Sequence, residues 1–438
     1  MHYTMTISEK NFNKIFSFFL VAIACTLIFR KPCTWLIFAF AVFNIFYFKK
    51  TQWSKKALIL AGIIASPFLL ELVFFFNNDS LAQGIKSIEK TSALVLFPLF
   101  ILGNYQRISF SKLLRYYVNG TTLVMIVFTL RFVLVYPEYV TKYWHGVHLW
   151  EMGYVFANSI GIHAPALNMH LAFVSVAALY LLLDSWQIKK DYRTSFLSVL
   201  VFVFSFFFVL LVNTRMALFN VLTGYLFVVF SFFLVHFNLK KMMLYSVVIG
   251  GVVLGILILF VQKNPYMKEK YGSVTFAYMD KVGKLDEIEH PEIKVFNALV
   301  TRVSIWKSAW ELSLQHLPFG VGASDGKPEL VKYYKQTHQY FLAEYAFPTH
   351  NQFLDFLLKF GVLGPLVVLL YIGTIGYLGI DLKNALAFSF FFLFFTSNLT
   401  DDFLLRFDGI TFSGFWFSIF GSLWLQQKNT VRTIPGVP

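Results

Sequence analysis

Charge is scarce in this 438-residue chain. Asp, Glu, Lys and Arg make up only 14% of it, whereas hydrophobic residues make up 57% and aromatics 19%. A water-soluble domain carries about 25% charged residues. The deficit, with a mean hydropathy of +0.64, excludes an ordinary globular protein. Cysteine is nearly absent too. Cys25 and Cys33 are the two present, and neither has a CxxC partner, so neither a disulfide framework nor a zinc knuckle is suggested. No small-x-small cleavage site follows the first apolar run, Ile15–Phe29, which reads as a membrane helix rather than a leader.

What the chain does have is phenylalanine, 54 residues of it. That is more than one aqueous core can hide, but lipid accepts apolar side chains all round a helix. Twelve apolar segments are expected, at 15–29, 34–48, 57–76, 91–104, 114–136, 166–184, 195–212, 216–236, 242–261, 351–380, 384–397 and 410–426. The second, fourth and eleventh are short against the ~20 residues a span needs.

The net charge of +14 sits in the connections between these runs. With the N-terminus inside, the inner loops and ends hold seventeen Lys and Arg residues, among them Lys49, Lys50, Arg107, Lys189 and Lys428. The short outer loops hold seven, including Arg30, Arg215 and Arg406. That bias is the positive-inside pattern and places both termini in the cytoplasm. No basic patch interleaved with exposed aromatics suggests a nucleic-acid partner. The organisation expected is membrane helices over 1–261, an outer loop domain over 262–349, and membrane helices with a cytoplasmic tail over 350–438. A helix is expected at Arg302–Gln315, with Ile305, Trp306, Ala309 and Trp310 on one face.

Chemistry is sought where ionisable groups meet helix ends on the outer face. Arg215 occupies a tight turn between two apolar helices. Arg302 lies on the loop-domain helix. His350 closes the long loop, where a neutral imidazole can serve as a base. Arg131 and Glu71, near outer helix ends, read as snorkelling side chains, either of which could contact the donor. His163 and His170 lack ligand partners at metal spacing. Asp401 and Asp402 read as exposed loop charges, one of which could orient His350 or an acceptor. The stretch Gly320–Lys327 fails as a phosphate loop on spacing, and Pro328 replaces the required Ser or Thr. It reads as a turn.

Three motifs occur in order. They are Thr214-Arg215, then Arg302 to Trp306 with Pro318-Phe319-Gly320-Val321-Gly322, and then His350-Asn351-Gln352-Phe353-Leu354 with Gly361 and Gly364. Over roughly 210–425 the chain resembles the O-antigen ligase family, which includes related polymerases. The resemblance implies an all-α, GT-C-like polytopic membrane protein with about twelve transmembrane helices and one large helical periplasmic loop before the tenth. It implies an inverting glycosyltransferase in the bacterial inner membrane that needs no cofactor and no metal. The donor would be a glycan on undecaprenyl pyrophosphate, and the acceptor a sugar hydroxyl of lipid A-core. His350 would be the base and Arg215 and Arg302 the pyrophosphate clamp, with Asn351, Asp401, Asp402 and Arg131 in supporting places. A polymerase joining lipid-linked repeat units is the alternative. A transporter or flippase fits less well, because such sites lie near the bilayer midplane on paired repeats.

Overall fold

A computed structural model describes residues 7–145, 149–187, 192–236 and 276–432, together with Gly251 and Gly255. Apart from those two glycines, the apolar segment expected at 242–261 lies outside the described residues. Among the described residues there are nineteen α-helices and no strand. The first half contributes α1 (Glu9–Thr26), α2 (Arg30–Phe46), α3 (Lys55–Val73), α4 (Leu81–Thr91), α5 (Ala93–Leu102), α6 (Phe110–Val135), α7 (Pro137–Trp144), α8 (Leu149–Ile160), α9 (Ala164–Gln187), α10 (Tyr192–Val212) and α11 (Arg215–His236). The second half contributes α12 (Pro291–Lys294), α13 (Leu299–Gln315), α14 (Gly326–Gln336), α15 (Tyr340–Glu344), α16 (Gln352–Phe360), α17 (Leu363–Asp381), α18 (Ala385–Thr400) and α19 (Phe407–Arg432).

Five of these helices, α3, α6, α9, α11 and α17, are long and apolar enough to cross a membrane, and α10 and α18 contain shorter apolar spans. Phe18, Trp35, Phe38, Leu123, Leu130 and Leu366 stand exposed on the bundle. In water such an apolar surface would be a liability, but against lipid it is the expected coat. α9 is the central post. Its apolar window is 83% buried, against 28% for α6 and for α11. Phe173 on α9 packs on Trp416 of α19 at 5.0 Å and on Phe390 of α18 at 5.1 Å. Phenylalanine thus supplies the bundle core as well as its surface.

The two ends of the bundle differ. At one end Glu9 accepts from Lys50 at 2.9 Å and from Arg107 at 2.5 Å, and Lys428 pairs with Asp381 at 2.8 Å. At the other end sits a folded unit with its own core of Leu285, Val295, Ile305, Leu330, Tyr334 and Leu358. The helix expected at Arg302–Gln315 is present as α13, starting at Leu299. Of its expected apolar face, Ile305 and Ala309 are buried but Trp310 is half exposed.

One expected element is corrected. The apolar segment 351–380 is two helices, α16 and α17, because Gly361 breaks it with φ +57°. A Cβ there would collide with the Pro318 carbonyl, so only glycine fits. The carbonyls at the end of α16 are satisfied by the turn after α13. Val321 donates to Leu358 at 2.9 Å and Gly322 to Lys359 at 3.0 Å, while Val362 donates to Pro318 at 3.1 Å. The Gly-x-Gly stretch is therefore a cap for α16, with φ +75° at Gly320 and +105° at Gly322. The same turn grips the α3–α4 connection. Asn77 donates to the Gly320 carbonyl at 3.0 Å, and Asp325 accepts from Asp79 N–H at 3.0 Å. These bonds fasten the outer unit to the bundle.

Candidate functional site

Four connections converge where the outer unit meets the bundle. The first is the α10–α11 turn. Asn213 takes a left-handed conformation (φ +53°) and donates its N–H to Val209 at 3.0 Å, closing α10. Asn168 of α9 steadies the turn, donating to the Thr214 hydroxyl at 2.9 Å and to the Val209 carbonyl at 3.3 Å. Arg215 then opens α11, half-buried.

The second is the start of α13. Thr301 donates to the Val295 carbonyl at 2.6 Å, fixing the helix entrance, and Arg302 one residue on donates to the Thr400 carbonyl. The third is the entrance to α16. Asn351 caps that helix, accepting from Phe353 and Leu354 N–H at 3.0 and 3.1 Å and donating to the Leu399 carbonyl at 3.1 Å. His350, just before the cap, has φ +48° and accepts on its carbonyl from the Trp306 indole at 3.4 Å. Such a conformation in a non-glycine residue persists only where its surroundings enforce it.

The fourth is the α18–α19 connection. Asp401 and Asp402 were expected as exposed loop charges, but both are buried, Asp402 completely. They are paid for by Arg406, whose guanidinium lies 3.3 Å from Asp401 and 3.5 Å from Asp402. His350 Nδ1 lies 3.2 Å from Asp401 Oδ1. A carboxylate at that distance selects the Nδ1–H tautomer and leaves the Nε2 lone pair available. Burial holds the His350 pKa below its ordinary 6.5; Asp401 opposes that shift, and the charges on Arg302 and Arg406 reinforce it. The imidazole is therefore neutral at neutral pH. The two carboxyls diverge. Burial alone would raise Asp401, but bonds from His350 and the Arg406 charge hold it well below the ordinary carboxylate value. Burial and the Asp401 charge push Asp402 up.

Arg215, Arg302, His350 and Asp401 line one cleft of about 840 Å³. A second cavity of about 360 Å³ continues from it toward α9 and α11 and shares Arg215, Arg302 and Asp401. Arg131 is not on either wall; it is exposed and donates to the Ser159 carbonyl at 3.3 Å. Glu71, expected to snorkel, is buried in the bundle and accepts from the Thr91 hydroxyl at 3.3 Å.

A family model described as O-Antigen ligase matches residues 200–369. Over that span the chain is similar to the O-antigen ligase family. No curated protein sequence matches it. The matched span holds Arg215, Arg302 and His350, whereas Asp401 and Arg406 lie beyond it.

The match, with the long apolar helices, supports a helical membrane protein of the O-antigen ligase or polymerase type. Sequence reasoning passed over three neighbours of the site. Tyr154 lines both cavities from α8, and His163 lines the larger one and accepts from Arg406 at 3.0 Å. Arg406 itself counted only as a loop charge. Their signal was spacing from apolar helix ends, which marks a face but not a partner.

His350, Asp401 and Asp402 also bring ligand atoms within 4.8 Å of one another, a spacing a metal ion could bridge. Arg406 already lies across the two carboxylates of that group.

Proposed function

We propose that this protein is an O-antigen ligase. It would transfer a glycan from undecaprenyl pyrophosphate to a sugar hydroxyl of lipid A-core, without a metal and with inversion, at the periplasmic face of the inner membrane. The proposal includes the twelve-span GT-C-like plan with both termini in the cytoplasm. The observation that carries it is the single cleft bearing two guanidinium groups and a carboxylate-held neutral imidazole.

Each part answers a need of the reaction. The acceptor oxygen forms a bond to the anomeric carbon as the carbon–oxygen bond to pyrophosphate breaks. The acceptor proton passes to His350 Nε2, and the bonding pair leaves on the phosphate oxygen. Asp401 stabilises the imidazolium that results. Arg215 and Arg302 meet the charge that grows on the leaving group. Their planar forks grip phosphate oxygens, and they bind the transition state more strongly than the ground state. Attack from the side opposite the leaving group inverts the anomeric centre.

The test is glycan transfer by the purified, reconstituted protein, with lipid-linked donor and lipid A-core acceptor, in chelator. His350→Ala is expected to lose about 10²–10⁴-fold in rate. Arg215→Ala is expected to lose about 10²–10³-fold. Transfer that persists unchanged in both variants rejects the mechanism, and transfer only to a second lipid-linked repeat identifies a polymerase. Deleting the gene separates the same two cases in cells: a lost ligase leaves long chains on the carrier, and a lost polymerase leaves single repeats.

A further inference from the structure

The two cavities share a wall and differ beyond it. Tyr154, Pro165, Arg215, Asn297, Arg302 and Asp401 belong to both. The smaller adds Met169, Met216 and Ala217 beside Asn213, Thr214 and Ser397, and runs between α9 and α11. The larger alone reaches His350, and its far wall is the segment Glu292–Asn297 of the outer unit. Glu292, Lys294 and Asn297 are exposed there, and Phe296 is half-buried. The Phe296 ring is fixed edge-on by Tyr345 at 5.0 Å and lies 5.2 Å from Phe347. It is a rigid apolar surface among hydrogen-bonding side chains on the wall of a polar cleft.

We propose that Glu292–Asn297 is the subsite for the acceptor glycan, with Phe296 as the platform for the apolar face of a sugar ring; this rests on the transfer reaction proposed above. The base lies only in the larger cavity, so the hydroxyl it deprotonates must enter there. The smaller cavity past the two arginines is then left to the donor. A sugar presents a carbon–hydrogen face to an aromatic ring and hydroxyls at its rim, which carboxylate, ammonium and amide groups bind. An aromatic held by its neighbours loses little freedom on binding.

Steady-state transfer by the full reconstituted chain tests this, with donor and acceptor varied separately. Phe296→Ala and Phe296→Leu are expected to raise the acceptor KM about tenfold and leave the donor KM unchanged. Phe296→Tyr keeps the ring and is expected to raise the acceptor KM less than Phe296→Leu does. Phe296→Leu keeps the packing against Tyr345, so a loss shared with alanine reports the ring and not the fold. A raised donor KM, or no change in either, overturns the subsite. Direct titration with the acceptor glycan separates this proposal from the reaction it rests on. Should the parent bind acceptor, Phe296→Ala bind it weakly, and neither transfer, the subsite stands and the transferase reading falls. Equal binding by both removes the subsite even if transfer is intact.

Discussion

At the scale of single residues, the chemistry depends on guanidinium shape and on one imidazole. Arg215→Lys is expected to lose most of the activity that Arg215→Ala loses, because an ammonium cannot make the two-pronged contact; full activity in single-turnover transfer would reject that role. The pH profile makes a second, signed prediction. In the proposed mechanism His350 works unprotonated, so activity should fall on the acid side as it takes up a proton. Arg406 is among the charges that lower its pKa, and Asp401 raises it. Arg406→Gln should therefore move the acid limb of kcat/KM to higher pH, and Asp401→Asn should move it to lower pH with a reduced rate. Shifts of the same sign in both would remove the electrostatic account. The three groups named from sequence were legible because each sits in a short motif at the end of an apolar run. Arg406 and Asp402 were not, since their importance comes from being buried together, and burial in a loop has no periodicity to betray it.

At the scale of elements, the entrance to the site rests on α16. Its buried Lys359 pairs with Asp355 at 2.6 Å, each 5% exposed, and Thr349, the residue before His350, donates to Asp355 at 3.4 Å. Lys359→Met leaves an uncompensated carboxylate and should destabilise the outer unit by about 3–5 kcal/mol. Asp355→Leu added to Lys359→Met should recover most of it. Thermal unfolding in detergent measures both, and a double variant no better than the single one would contradict the pairing argument. The split of 351–380 into two helices shows where pattern reading ends. Continuous apolar residues look alike in a core helix and in a membrane helix, and only Gly361, pressed against Pro318, marks the boundary. The helical nature of the outer unit was legible, because Ile305 and Ala309 repeat at helical spacing. Its attachment through Asn77 and Asp325 was not, since those contacts join residues some 240 positions apart.

For the whole molecule, charge placement was the most informative reading. Loop lysines and arginines sorted the connections onto two faces, and Glu9, Lys50, Arg107, Asp381 and Lys428 do gather at one end, opposite the outer unit. The orientation proposed from that bias has a direct check. In a chain carrying Cys25→Ala and Cys33→Ala, a membrane-impermeant thiol reagent should label Lys327→Cys in intact cells and Lys55→Cys only after permeabilisation. The reverse pattern would place the cleft in the cytoplasm and end the glycan-transfer proposal with it. The two arginines that separate the cavities carry a last consequence. In the proposed reaction they hold the same phosphates before and after the glycan departs, so the spent lipid carrier is bound by the groups that drove its release. The glycan product, held only through its acceptor part, would leave first. The enzyme would then wait on its own by-product, and a neighbouring activity that strips phosphate from the free carrier would set its pace.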